Sequence, residues 1–336
     1  MPSRLKIEHM PQVRTTADQL GATLTGGLIP AAPVMFDRDD RFHERAHKAY
    51  VEWMRTQPIA GVAVWAHTGR GLHLDADTAR RVIEDWRTAL PNKPLIAGVG
   101  HNQKSSPKEA TEATLAMASS AARHGADALL VYPPSWLNDH ESRDSLIVEH
   151  HARLAGLGMP LILFYLYEAA GGVRYSFDVL DALLSLPNVA GIKMATLDSV
   201  MTYQDVACHI QTHHPEKLLI TGEDRFLGYS LRRGARAALI GLGAVCCDLQ
   251  AELLTSHLEG NAERFLELSD LIDKLAEVLF VPPMEGYIGR ILCALSKLGV
   301  IPPEAAHDPW GPKLTASEID NIGVVLDTLI PVAHIK

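Results

Sequence analysis

The chain has 336 residues, 47% of them hydrophobic, with a formal net charge of −9 and four cysteines. That length suits one large domain of about 250 residues with an extension, or two domains. The acidic balance offers no basic footprint for nucleic acid or an anionic membrane, and cysteines at 208, 246, 247 and 293, with no Cys-x-x-Cys pair, suggest neither a disulfide framework nor a zinc site.

In chain order, Met1–Gly26 is polar and mixed in charge and lacks the apolar core of a signal peptide. Residues 1–23 are read as an N-terminal extension. From Gly27 onward, short apolar runs alternate with longer amphipathic ones. Strands are expected at Gly27–Ala32, Gly61–Trp65, Leu95–Val99, Ala128–Tyr132, Pro160–Tyr165, Val189–Lys193, Leu218–Thr221 and Ala237–Leu242. Between them the spacing predicts helices at Glu44–Met54, Asp77–Leu90, Pro107–His124, Ser142–Leu157, Ser176–Leu186, Ser199–His213 and Asp224–Arg233. Asp75, Ser106, Asp139 and Ser176 stand at or just before helical runs, where caps belong. After Leu242 only helical patterns follow, at Gln250–Glu259, Ala262–Leu279, Met284–Leu298 and Ser317–Leu329, the last preceded by a capping box from Thr315 to Glu318. The Pro-rich stretch Ile301–Pro312 reads as a long turn.

Eight strand–helix units argue for parallel strands. No Gly-x-Gly-x-x-Gly follows the first strand and no Gly-x4-Gly-Lys-Ser/Thr occurs, which disfavours a nucleotide-binding open sheet. The expected fold is therefore α/β: a (β/α)8 TIM barrel over residues 24–249 and a C-terminal helical layer over 250–336 packed on it. No run of about 18 apolar residues is present to span a membrane, so no membrane partner and a cytoplasmic, reducing setting are expected.

In such a barrel the chemistry sits where strands end. The sixth strand ends in Gly191-Ile192-Lys193-Met194-Ala195-Thr196, with no acid within four residues of Lys193. A strand-end lysine either snorkels to water or is desolvated, and a neutral amine condenses with carbonyl compounds to a Schiff base. The second strand runs into Ala66-His67-Thr68-Gly69-Arg70, whose backbone amides and Thr hydroxyl can hold a carboxylate, or form an ordinary turn. The fifth ends in Phe164-Tyr165-Leu166-Tyr167-Glu168, where a tyrosine can relay a proton or cap the core. The fourth leads to Tyr132-Pro133-Pro134-Ser135-Trp136, a rigid turn able to wall a pocket. At the seventh, Glu223-Asp224 can cap the next helix. The adjacent pairs His150-His151 and His213-His214 diverge on a helix and make poor joint metal ligands.

Taken in order, these segments resemble the dihydrodipicolinate synthase / N-acetylneuraminate lyase family of Schiff-base barrels, from about Leu24 to about Pro312. The family pattern Gly-Ile-Lys-(Glu/Asp)-(Ala/Ser)-(Thr/Ser) corresponds to Gly191–Thr196, and the family tyrosine, 28 positions before its lysine, corresponds to Tyr165. Ala66–Arg70 corresponds to the Gly-Thr/Ser-Thr-Gly-Glu turn, Leu95–Gly100 to the third strand, and Gly222-Glu223-Asp224 to Gly-Asp/Asn-Asp. The resemblance implies that Lys193 attacks the ketone of pyruvate or a sugar-derived 2-oxo acid and that Tyr165 shuttles protons. Thr68, with the amides of Thr68 and Gly69, would hold the carboxylate, and Ile240 would turn its carbonyl to the lysine. It also implies a homo-oligomer, a tetramer or dimer. Imine chemistry needs no metal, and no metal or other cofactor is expected.

The departures bear on specificity. His67 replaces a hydroxyl residue and could act as an acid–base group or simply fill space. Arg70 replaces a glutamate and could meet an anionic distal group, or pair with Glu168 or Glu223. Ser135 stands near the slot of a second tyrosine, and no Arg occupies the slot after Tyr165 that grips a second carboxylate in the synthases. The expected function is a Schiff-base-forming aldolase or dehydratase rather than an authentic dihydrodipicolinate synthase. The alternatives are a catalytically silent member that binds a 2-oxo acid as a sensor or scaffold, and a barrel enzyme using Glu223 and Asp224 with a metal.

Overall fold

Eight strands, each buried along its whole length, form one parallel sheet: β1 (Leu28–Pro30), β2 (Val62–Val64), β3 (Leu95–Val99), β4 (Ala128–Val131), β5 (Leu161–Leu166), β6 (Val189–Ala195), β7 (Leu218–Thr221) and β8 (Ala237–Ile240). The computed structural model describes residues 14–197 and 199–329; residues 1–13 of the expected extension and 330–336 of the expected layer lie outside them. Strands run in the order β1-β8-β7-β6-β5-β4-β3-β2. The ends of this row also meet, since Ala32 N–H donates to the Ala63 carbonyl at 2.9 Å and Ala60 N–H to the Leu28 carbonyl at 2.8 Å. The sheet thus closes into the (β/α)8 barrel expected from the eight units.

Both faces of such a sheet are covered, so its strands are apolar throughout. Inward residues such as Ile29, Ile96, Leu130, Ile162, Phe164, Ile220 and Leu239 fill the barrel interior. Outward residues such as Val62, Leu129, Leu163, Tyr165, Ile192, Met194 and Ile240 pack on the helices. The helices are α1 (Ala17–Leu24), α2 (Glu44–Arg55), α3 (Ala76–Ala89), α4 (Pro107–Arg123), α5 (Arg143–Ala155), α6 (Phe177–Leu184), α7 (Val200–His213), α8 (Leu227–Arg232), α9 (Cys247–Glu259), α10 (Ala262–Leu279), α11 (Tyr287–Lys297) and α12 (Ala316–Leu329). No single helix among the described residues is long and apolar enough to cross a membrane.

Local signals behave as their chemistry dictates at most ends. Asp75 accepts from the N–H groups of Asp77 and Thr78, Ser106 and Glu109 form a capping box, and Ser176 accepts from Val179 N–H. Asp139 does not cap α5: the N-cap is Ser142, three residues later, whose side chain makes no capping bond. Glu223 and Asp224 do not cap α8 either, whose N-cap is Phe226 without a side-chain bond. In α1, Leu20 and Leu24 join the inner cluster beside Ala190 and Leu218 at the start of the strands, so this helix plugs the N-terminal end of the barrel.

The C-terminal layer is held by a buried cation. Arg290 on α11 donates to the carbonyls of Leu279 (3.3 Å), Val281 (2.8 Å) and Pro283 (3.4 Å) and to Glu318 of α12 (2.9 Å). Five fixed donors in one planar group tie the turn between α10 and α11 to α12. Glu318 in turn closes the capping box, accepting from Thr315 N–H at 2.7 Å. Replacing Arg290 by Met strands three carbonyls and one carboxylate. The expected loss is about 3–5 kcal/mol of stability, read from the urea midpoint of the variant against the parent protein. A loss within experimental error would show that the clamp is not structural.

Candidate active site

Lys193 reaches the barrel interior because β6 carries an extra residue. Leu161 pairs with Val189 but Ile162 pairs with Gly191, which leaves Ala190 bulged. Val189 faces the helices, and strict alternation would send residue 193 the same way. The bulge reverses the alternation, so Ile192 and Met194 point outward while Ala195 joins the interior. The aliphatic stem passes Gly222 at the end of β7, where an added Cβ would stand 2.5 Å from Lys193 Cε and 2.8 Å from the Met194 carbonyl. Glycine is required there for close approach. Nζ lies 4.3 Å from the centre of the Phe164 ring, whose residue pairs with Lys193 across β5 and β6.

The amine opens into a cavity of about 530 Å3, its mouth included. Strand ends supply His67, Thr68, Phe164, Asp224 and Gly241, and the C-terminal layer supplies Phe280, Met284, Glu285 and Tyr287. Lys193 is only 5% exposed. Burial pushes its pKa down, and the Asp224 and Glu223 carboxylates pull it partly back. Burial raises the pKa of Asp224, against the opposing effects of the Leu242 N–H bond and of Lys193. Glu223 is raised to about 8, again chiefly by burial. It accepts from Thr196 N–H (2.6 Å), Thr196 Oγ1 (2.9 Å) and Leu197 N–H (2.9 Å), and Asp224 accepts from Leu242 N–H (2.7 Å). These two acids therefore brace the segments after β6 and β8 and set the field at the amine.

The turn after β2 is a 3-10 turn over His67–Gly69, ended by Arg70 at φ 53°. Thr68 Oγ1 lies 3.1 Å from the Tyr287 hydroxyl, and His67 Nδ1 lies 2.9 Å from it. Burial is the largest cause lowering the pKa of His67, to about 3, with Arg70 and Lys193 adding to it. The imidazole is thus held neutral, whereas the sequence allowed an acid–base group titrating near pH 7.

Several expected site residues lie elsewhere. Tyr165 takes the outward position on β5, its ring 5.7 Å from Tyr175 beneath the helices, and it does not line the Lys193 cavity. Phe164, one residue earlier, takes the inward place. Gly69 N–H is committed to the Ala66 carbonyl at 2.9 Å, and the Ile240 carbonyl accepts from Ala31 N–H of the next strand at 2.9 Å. Gly241 lines the cavity in place of Ile240. Ser135 sits in its own 3-10 turn and is not among the cavity-lining residues. Arg70 pairs with neither Glu168 nor Glu223. Its guanidinium makes a buried two-point contact with Asp308, at 3.1 and 2.6 Å. Arg174, later in the loop after β5, lines a separate cleft with Tyr165, Glu168 and Thr202.

The histidine pairs diverge in the way adjacent helical residues must. His150 Nδ1 bonds Thr111 Oγ1 and His151 Nδ1 bonds the Ile147 carbonyl. His214 instead converges with His209, each Nε2 standing 2.7 Å from the same Asp181 oxygen. The residues sequence reasoning missed are Phe164, Phe280, Met284, Glu285 and Tyr287. No local signal marks the last four, because tertiary packing brings them to the cavity; Tyr287, for example, meets His67 and Thr68 more than 200 residues away in the chain.

Comparison with known proteins bears on the family and the fold. Residues 24–326 match the Dihydrodipicolinate synthetase family. A 4-hydroxy-tetrahydrodipicolinate synthase of Brucella abortus biovar 1 (strain 9-941) is 29% identical over 263 residues, covering 76% of this chain and 84% of the relative. Among solved structures, the dihydrodipicolinate synthase of Agrobacterium tumefaciens str. C58 superposes with a TM-score of 0.78 at 22% identity, covering 92% of this chain and 99% of that one. The N-acetylneuraminate lyase of Mycoplasma synoviae gives 0.71 at 19%, covering 91% and 97%.

The electrostatics make a directional prediction. An amine is labelled by acetic anhydride only when unprotonated, so labelling of Lys193 rises with pH. Burial places the midpoint below the ordinary lysine value of about 10.4. Asp224→Asn removes a carboxylate that raises the amine's pKa, so the midpoint moves further down. Competitive labelling with peptide mass mapping reads both, and an upward shift in the variant would contradict the assigned field.

Proposed function

The chain belongs to the dihydrodipicolinate synthetase family, whose members are class I aldolase-type lyases, and on that footing we propose that it is a Schiff-base-forming lyase acting on pyruvate or a longer 2-oxo acid. The observation that carries this reading is the Lys193 amine, enclosed at the C-terminal end of β6 with its pKa lowered and the Thr68 hydroxyl in the same cavity. The neutral amine adds to the keto carbon, the carbinolamine loses water, and a C=N bond forms with positive charge on nitrogen. That iminium takes the electron pair of a bond breaking at the next carbon. A C–C bond to an aldehyde can then open or, in reverse, close. Thr68 Oγ1 is suited to donate to the substrate carboxylate.

The cavity also speaks to the second substrate. Lys193 is the one cation among its described lining residues, Arg70 is committed to Asp308, and Arg174 lines a different cleft. The rest of the wall is largely apolar, with Phe164, Leu166, Phe280 and Met284 among its members, and its charged groups are the acids Asp224 and Glu285. A carbonyl partner bearing its own carboxylate would find no clamp. This supports a neutral aldehyde or its aldol, and not the 4-hydroxy-tetrahydrodipicolinate synthase reaction named for the Brucella relative. The phenyl ring of Phe164 where a phenol was expected supports one second reading, a member that forms the imine without turning it over.

Borohydride reduction with pyruvate or 2-oxobutanoate present, followed by peptide mass mapping, is expected to fix the acid on Lys193. Lys193→Ala is expected to give no adduct. Absence of an adduct across a panel of 2-oxo acids would end the lyase reading. An adduct without aldol cleavage or condensation, over a panel of neutral and anionic aldehydes, would instead favour the silent member.

A further inference from the structure

The family's reaction needs a proton donor beside the nascent imine, and on β5 that place is held by Phe164, which has no proton to give. A phenol does face the cavity, from a distant part of the chain. Tyr287, the first residue of α11, holds its hydroxyl 2.9 Å from His67 Nδ1 and 3.1 Å from Thr68 Oγ1. Its ring stacks on Phe280, with centroids 4.8 Å apart, and lies nearly parallel to the His67 ring, with centroids 5.9 Å apart. Arg290, one turn further along α11, fixes the preceding loop by three carbonyls. Of the other inward or nearby phenols, Tyr132 donates to the Trp65 carbonyl at 3.0 Å, and Tyr165 faces the helices. Tyr167 lines the mouth from a half-exposed loop position.

We propose that Tyr287, supplied by the C-terminal layer, is the acid–base residue of this site, with Thr68 and His67 orienting its phenol. The inference rests on the imine-forming reading above. With pyruvate, nitrogen adds to C2, the carbonyl π pair goes to oxygen, and one amine proton passes to that oxygen to give the carbinolamine. As the nitrogen lone pair makes the C=N bond, the C2 hydroxyl leaves as water, carrying the Tyr287 proton. The phenolate left behind accepts a hydrogen bond from His67 Nδ1–H, the one N–H of the neutral ring, which leaves the single Thr68 hydroxyl proton for the substrate carboxylate. It then takes a proton from the C3 methyl group; the C–H electron pair becomes the C2=C3 bond and the C=N π pair returns to nitrogen, which gives a neutral enamine and restores the phenol. His67 is a positioning residue here: as a neutral ring it presents Nδ1 to the phenol and adds no cation to compete with the iminium.

The enamine step needs no second substrate, so it can be measured with pyruvate alone. In D2O the parent protein is expected to exchange the methyl protons of pyruvate for deuterium, followed by 1H NMR. Tyr287→Phe keeps the stacked ring. It is expected to slow exchange by about 100-fold or more while the borohydride adduct on Lys193 still accumulates on long incubation, which also reports an intact site. Tyr165→Phe is expected to stay within about twofold of the parent, as a residue outside the site should. Placing 3-fluorotyrosine at 287 makes the phenol more acidic without changing its packing. The pH profile of exchange should move to lower pH, a response that a purely structural tyrosine would not give. Exchange by Tyr287→Phe within about threefold of the parent, well short of general acid–base effects, would overturn the proposal. So would the large loss appearing in Tyr167→Phe instead. A parent protein that gives neither adduct nor exchange with 2-oxo acids would remove the lyase reading itself, a result distinct from either.

Discussion

A primary amine enclosed by protein is the constraint around which this barrel is arranged. Burying an ammonium ion costs several kcal/mol even after relaxation, and the chain does not meet that cost with a close ion pair. It places two acids nearby that are themselves desolvated, Asp224 and Glu223, whose own pKa values are raised by the same burial. Desolvation thus moves acid and base toward each other, and the neutral amine lies within reach at ordinary pH. The acids keep their places by accepting backbone N–H bonds from the segments that follow β6 and β8. The field at the amine and the shape of the strand ends therefore have one structural origin.

The walls of the cavity come from opposite ends of the chain. Barrel strands deliver Lys193, Phe164 and Asp224, and the roof is the turn between α10 and α11 together with Tyr287. Two arginines fix that roof, one within the C-terminal layer and one from the barrel. Arg290 gathers the carbonyls of the turn, and Arg70, at the end of the β2 turn, reaches Asp308 in the Pro-rich stretch. A planar guanidinium suits both tasks because it satisfies several acceptors in fixed directions. In Arg70 a charge that looked available to a ligand is instead spent on architecture. The result is a cavity with little positive potential apart from the amine.

Much of this was legible beforehand, and the failures have two causes. The eight strands, the closed barrel, the helical layer, Lys193 at a strand end and the caps at Asp75, Ser106, Ser176 and Thr315 all follow from periodicity and local chemistry over a few residues. The facing of side chains on β5 and β6 does not. Leu161–Leu166 is apolar at both parities, so nothing in it distinguishes Phe164 from Tyr165 as the inward residue. On β6 a bulge at Ala190 reverses the alternation and is invisible in a run of small and apolar residues. A spacing of 28 positions pointed to Tyr165, and one residue of difference in strand phase sends that phenol under the helices. Tyr287, Phe280 and Asp308 were missed for a different reason: their partners are set by tertiary packing, which no local pattern encodes.

That single change of phase has a chemical corollary. With Phe164 inward, the amine rests against an aromatic face that stabilises its cation modestly and offers no proton. The proton-bearing groups then stand together on the side of the β2 turn, where Tyr287, Thr68 and His67 touch one another. On the proposed reading, one side of the cavity would hold the nitrogen and the other would handle protons, with the substrate between them. Such a division would couple chemistry to the docking of the C-terminal layer. Loosening α11 by a fraction of an ångström would leave the nucleophile untouched and misplace the phenol, so imine formation and turnover should be separable by changes far from Lys193.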